Sequence, residues 1–252
     1  MTRQPPAAPE APRSLAGLVA VVTGASRGIG RAVSLALARA GVHLCVVARS
    51  GDDPDALRRE IEPLRVRVLP ISADLAESGA PKRIIEETIR AFGRLDILIN
   101  NAGAVHAAPV VETSAETFDS LMAVNARAPF LLCREAVPHL AKSPAPSIIN
   151  VSSVVGHKGY PNQSAYAASK HALMGFTKVL AAELHPLGIR VHAISPGGVA
   201  TSLVSRTRPD LDPRELMRPE EIADLVLFLL TRRGNAVIDE VRIRRASSEP
   251  TF

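Results

Sequence analysis

Apolar residues fall along this chain in two kinds of stretch, short unbroken runs and longer segments spaced at three and four residues, and the two kinds follow one another from end to end. The short runs read as buried strands: Leu18 to Val22, Leu44 to Ala48, Val66 to Ile71, Leu95 to Ile99, Ser147 to Val151, Ile189 to Ile194 and Val237 to Ile243. Helices are predicted between them. Val33, Ala36, Leu37 and Ala40 share one helical face that stops at Gly41, and Asp55 to Ile61 makes a short helix. Ile84, Ile85, Thr88, Ile89 and Phe92 form another face, ending at Gly93. A long helical region covers roughly Ala115 to Leu140, with a bend expected at Pro129 because proline removes a backbone donor. Ala165 to Leu184 is a further helix closed by Pro186 and Gly188, and Glu220 to Leu230 is the last.

Strands alternating with helices of this length predict an α/β fold: a doubly wound parallel sheet of about seven strands, with right-handed crossovers and helices on both faces. Ligands of such sheets sit outside the carboxyl ends of the strands. Gly24, Asn100, Ser152 and Pro196 open the segments that follow the first, fourth, fifth and sixth strands, so all four segments belong to that edge. Residues 1–14, with Pro5, Pro6, Pro9 and Pro12 among alanines, read as a disordered tail, and residues 15–252 as a single catalytic domain.

Composition narrows the class. A hydrophobic content of 46% is ample for a packed core. The run Leu225 to Leu230 is far shorter than the roughly 18 apolar residues of a membrane span, and the tail lacks the apolar centre of a secretion signal. Two cysteines, Cys45 and Cys133, with no C-x-x-C pair, suit reduced thiols and a cytoplasmic location. The net charge of +5 is scattered, and aromatics make up only 3% of the chain, which leaves few stacking platforms and argues against nucleic acid. The densest basic cluster, Arg242, Arg244 and Arg245, reads as a solvated strand end. No histidine has metal-ligand spacing, so no metal is expected.

Chemistry is concentrated in three clusters. Thr23-Gly24-Ala25-Ser26-Arg27-Gly28-Ile29-Gly30 lies between a strand and a helix, where glycines let the backbone approach a pyrophosphate and the helix N-terminus favours its charge. Ser152-Ser153 follows the fifth strand. Tyr166 and Lys170, four apart in a helix, share one face one turn apart, so the ammonium is placed to stabilise a phenolate whose ordinary pKa is about 10.

Taken with Asn125, these motifs resemble the short-chain dehydrogenase/reductase family in its compact form, similar to 3-oxoacyl-thioester and carbonyl reductases, over about residues 15 to 232. The resemblance implies a Rossmann fold and an NADP-dependent oxidoreductase that acts on CH-OH or C=O groups. Thr23 to Gly30 matches the T-G-x-x-x-G-x-G loop, Asn100-Asn101-Ala102-Gly103 the N-N-A-G segment, Tyr166 and Lys170 the Y-x-x-x-K pair. It makes Tyr166 the general acid toward a carbonyl oxygen, or the base in reverse, with Ser153 bonded to that oxygen. Lys170 lowers the phenol pKa and holds the nicotinamide ribose, and Asn125 positions a water that links Lys170 to solvent.

By the same resemblance the cofactor is held by Gly24, Ser26, Arg27, Gly28, Ile29 and Gly30; by Arg49 and Ser50 after the second strand; and by Asp74 and Leu75 after the third. Asn100, Ala102, Gly103, Tyr166, Lys170, Pro196, Gly197, Val199 and Thr201 complete that set. Ala48, Arg49 and Ser50 stand where an acidic residue would bond a ribose 2′-hydroxyl, and Arg49 with Arg27 suits a 2′-phosphate, which favours NADP. The expected partners are a small carbonyl or alcohol substrate and further copies of the chain in a homodimer or homotetramer. An alcohol or steroid dehydrogenase running toward oxidation, and a non-catalytic NADP-sensing protein, are the alternatives.

Overall fold

The computed structural model describes residues 12–49, 54–208, 210–232 and 234–250. Seven parallel strands form one sheet in the order β3-β2-β1-β4-β5-β6-β7: β1 Val19–Thr23, β2 His43–Ala48, β3 Val68–Ser72, β4 Ile97–Asn100, β5 Ser147–Val151, β6 Arg190–Pro196 and β7 Glu240–Ile243. The order reverses between β1 and β4, where β1 pairs with β2 on one side and β4 on the other. That is the crevice at which doubly wound sheets bind ligands.

Strand periodicity sorts the side chains into two cores. On β4, Ile97 and Ile99 face one layer and Leu98 the other; on β1, Ala20 and Val22 oppose Val21. One layer holds α1 (Gly28–Arg39), α2 (Pro54–Ile61) and α8 (Pro219–Thr231), with Val33, Leu37, Ile61, Val226 and Leu229 in its core. The other holds α3 (Ala80–Phe92), α5 (Ala128–Leu140) and α6 (Ser164–Leu184), through Ile84, Leu132, Leu140 and Leu180. The central strands β1, β4 and β5 are buried on both faces, which is why they read as largely apolar runs, while the edge strands β3 and β7 are partly exposed.

Two expectations are corrected. The irregularity falls before Pro129 rather than at it: α4 (Ala115–Met122) runs into a π-helical turn at Ala123–Arg127, and Pro129 follows in the first turn of α5. The last strand begins at Glu240 rather than Val237. Most of the sequence-predicted tail lies outside the described residues, but at its end Arg13 donates its backbone N–H to Thr231 at 2.9 Å and its guanidinium to the Pro144 carbonyl at 3.0 Å. Leu15 behind it is buried.

Candidate active site

A cleft of about 750 Å³ opens along the carboxyl edge of the sheet. Its floor at the switch point is built by two loops locked together. The Thr23 hydroxyl, at the end of β1, accepts the backbone N–H groups of Asn101 and Ala102, both at 3.0 Å, and donates to the Ile99 carbonyl at 3.3 Å. The Asn101 amide returns to the carbonyls of Thr23 at 2.9 Å and Gly24 at 3.2 Å. Gly24 takes φ +65°, and a Cβ there would stand 2.9 Å from the Ala102 Cα. At Gly30 a Cβ would meet the Gly24 carbonyl oxygen at 2.2 Å and the Asn101 amide at 2.4 Å, so only glycine lets α1 pack this close.

The residues at this end fit a dinucleotide. No side chain caps the N-terminus of α1, and its first residues, Gly28 and Ile29, line the cleft, where uncapped helix amides suit an anion. Ser26, Arg27, Gly28, Ile29, Arg49, Asp74, Leu75, Ala102 and Gly103 all line the cleft, as do Pro196, Gly197, Val199 and Thr201 across it. Asp74 turns one oxygen to the Ala76 N–H at 2.8 Å. Ser50 lies outside the described residues. Two residues of the sequence-predicted set are placed elsewhere. Gly30 packs beneath the loop, and Asn100 points under the sheet edge, donating to Asn150 Oδ1 at 2.8 Å and Cys133 Sγ at 3.4 Å. Neither lines the cleft.

Tyr166 and Lys170 stand on the first turns of α6, both buried, and both reach the cleft. The Lys170 ammonium donates to the Val151 carbonyl at 3.0 Å, which ties α6 to the end of β5. Burial pulls its pKa down to about 8. Ser153 follows β5, accepts the Val155 N–H at 3.2 Å and lines the cleft together with Tyr166. Burial raises the Tyr166 pKa, and the neighbouring Ser153 side chain opposes that rise. Asn125, in the π turn, accepts the Ala104 N–H at 2.8 Å, donates to the Ala104 carbonyl at 2.8 Å and donates to Ser169 Oγ at 2.9 Å. The π turn puts this fully buried amide beside the β4 loop, where a Cβ on Gly103 would lie 3.5 Å from Asn125 Oδ1 and 3.8 Å from Lys170 Nζ.

The structure thus sets a glycine cradle at the switch point and places serine, tyrosine and lysine along the same cleft. The family described as short chain dehydrogenase matches residues 18–212. The chain belongs to the short-chain dehydrogenase/reductase family. It is 35% identical over 235 residues, 90% of this chain and 96% of the relative, to the 3-oxoacyl-(acyl-carrier-protein) reductase FabG of Thermotoga maritima. Among solved structures, a metagenomic short-chain oxidoreductase in complex with NADP superposes with a TM-score of 0.81 at 33% identity, covering 94% of this chain and 100% of that one. An alcohol dehydrogenase from the archaeon Thermococcus sibiricus, complexed with 5-hydroxy-NADP, gives 0.85 at 27% identity over 93% and 99%. As a short-chain dehydrogenase/reductase the protein is an NAD(P)-binding oxidoreductase of CH-OH and C=O groups. No helix among the described residues is long and apolar enough to cross a membrane.

Sequence reasoning missed several lining residues of this short-chain dehydrogenase/reductase. Lys158, Tyr160 and Gln163 come from the β5–α6 loop, and His106 from the loop after β4. None has a motif to mark it. Arg244 and Arg245, read as a solvated strand end, also line the cleft, and the Arg245 side chain is only 16% exposed. The cause is the chain's exit from β7: Gly197 donates its N–H to the Ile243 carbonyl at 2.8 Å, which lays the following residues against the Pro196–Gly198 turn.

Proposed function

We propose that this protein is an NADPH-dependent carbonyl reductase acting on a ketone, aldehyde or 3-oxoacyl thioester. The observation that carries the reading is the buried Tyr166, gathered with Ser153 and Lys170 along one cleft. Tyr166 is the acid of this cleft, and Lys170, four residues on in the same helix, is the cation that would stabilise the phenolate it leaves. NADPH supplies the hydride for the carbonyl carbon. Tyr166 gives its proton to the oxygen as the C=O bond becomes C–OH, and Ser153 donates a hydrogen bond to the same oxygen as its charge develops.

Lys170 is the group that restores balance after the phenol has given up its proton. Only its Val151 bond is made within the protein among the described residues, so its remaining donors are available to a ribose hydroxyl and to the phenolate. Asn125 holds the Ala104 loop that borders Lys170. Preference for NADPH is supported by Arg49, exposed on the cleft at the end of β2, with the small Ala48 before it where an acid would repel a 2′-phosphate. The reading takes over from the resemblance a cytoplasmic homo-oligomer with a small-molecule substrate.

NADPH consumption across a panel of ketones, aldehydes and acyl thioesters tests it. Carbonyl-dependent oxidation of NADPH is expected; alcohol-dependent reduction of NADP alone would reverse the direction, and NADP binding without either reaction would leave a cofactor-sensing protein.

A further inference from the structure

We infer that the carbonyl substrate carries an anionic group, a carboxylate or a phosphate, received by a cationic wall of the cleft that Tyr166 also lines; this rests on the reductase reading of the site. The wall is made by three separate segments. Lys158 and Tyr160 come from the β5–α6 loop, Arg206 and Arg208 from α7 (Ser202–Thr207) and its C-terminal end, Arg244 and Arg245 from the chain's exit after β7. Geometry brings parts of them together. Lys158 Nζ lies 4.9 Å above the Tyr160 ring, Arg208 is bonded to Asp210, and a Cβ on Gly198 would meet both Arg245 Cδ at 3.2 Å and Leu211 Cδ1 at 3.4 Å.

The charges on this wall do not cancel. Asp210 takes Arg208 in a fork at 2.8 and 2.7 Å, and Glu215 takes Arg245 at 3.5 Å while also accepting from Ser247 at 2.9 Å. Glu249 lines the cleft nearby. Those three carboxylates face five cations. Lys158 has no carboxylate partner among the described residues, Arg206 donates only to the Ser202 carbonyl of its own helix turn, and Arg244 is spent on carbonyls of the exit loop. Two cations thus line the cleft from two separate segments without a counter-ion of their own among the described residues, in a lining that also holds apolar Val155, Leu203 and Leu211.

Unpaired cations in a cleft focus field lines and raise the local concentration of an anion, and a carboxylate or phosphate bridging Lys158 and Arg206 makes charge-assisted bonds unavailable to a neutral carbonyl. Hydride and proton transfer at the carbonyl are unchanged by this; the anionic group fixes which end of the molecule enters.

The test compares matched pairs with the full chain and NADPH: 4-oxopentanoate against its methyl ester, and dihydroxyacetone phosphate against dihydroxyacetone, with a neutral 3-oxoacyl thioester alongside. The charged member of at least one pair is expected to have a kcat/KM about tenfold or more higher. That ratio is expected to fall below about threefold in Lys158→Ala/Arg206→Ala, and to shrink between 50 and 500 mM salt as screening demands. Which pair responds separates carboxylate from phosphate. Neutral members or the thioester turned over as well as the charged ones would overturn the inference while leaving the reductase intact. Calorimetric titration of the same anions into the NADP-loaded protein supplies a readout independent of turnover. No carbonyl reduced would defeat the reductase reading alone, and anions binding no better than their neutral partners, or binding undiminished in the double variant, would defeat the anion wall.

Discussion

Asn125 clasps the backbone of Ala104 from both sides, accepting its N–H and donating to its carbonyl at 2.8 Å each. A side-chain amide reproduces here the paired bonds of a strand ladder, and it does so next to the Lys170 ammonium. Replacing Asn125 by Ala leaves both Ala104 groups and the Ser169 hydroxyl to find other partners in a buried site, at a cost of about 1–3 kcal/mol in stability. Turnover is expected to fall about tenfold or more, with NADPH affinity changed less, because the loop positions Lys170's surroundings rather than the phosphate cradle. Chemical denaturation and single-turnover kinetics on the variant check both parts; a variant unchanged in stability would show the clasp to be dispensable.

Tyr166→Phe separates binding from chemistry. The ring still fills its buried site, so NADPH affinity should hold within a few-fold, while turnover drops by about 10² or more, the range of general acid catalysis. Turnover within a few-fold of the parent would place the proton donor elsewhere.

Arg49 sets the cofactor prediction. NADPH is expected to bind at least about tenfold more tightly than NADH, since a charge-assisted phosphate contact contributes about 1.5–3 kcal/mol. Ala48→Asp with Arg49→Leu should invert the preference. Equal affinities in the unmodified protein, measured by fluorescence titration, would remove the 2′-phosphate site.

Buried thiols govern alkaline stability. Burial pushes both Cys45 and Cys133 up to about 12, whereas an unfolded thiol titrates near about 8.5–9. Between those values the unfolded chain has lost protons that the native state retains, so stability falls as pH rises, by about 1.4 kcal/mol per pH unit for each thiol. Lys170 acts oppositely. Its folded pKa of about 8 lies below the unfolded value near about 10.4, so across that window its contribution rises with pH. Two thiols outweigh one ammonium. Urea midpoints measured from pH 8 to 11 should therefore decline above about pH 9, and Cys45→Ala/Cys133→Ala should flatten the decline; an equal slope in the double variant would assign it to other groups.

The sheet's contents were determined by the sequence alone, because a strand buried on both faces must be apolar at every position and leaves an unbroken run, as at Val19–Val22 and Ile97–Ile99. The glycine loop and the Tyr166–Lys170 spacing were legible for a similar reason: backbone conformation and helical period are local, so residue types at fixed offsets carry them. What only the tertiary structure decided is where separated segments meet. Gly30 reads as a phosphate contact, yet its missing side chain makes room for the Gly24 carbonyl and the Asn101 amide, a packing demand set by a loop seventy residues away. Asn100 turns under the sheet toward Asn150, and Asn125 reaches Ala104 through a π turn that no residue pattern announces. Arg245 shows the limit most plainly. Three basic residues near a chain end are solvated by default, and it took the pairing of β7 with β6, and the Gly197 to Ile243 hydrogen bond beyond it, to bring that end back over the cleft.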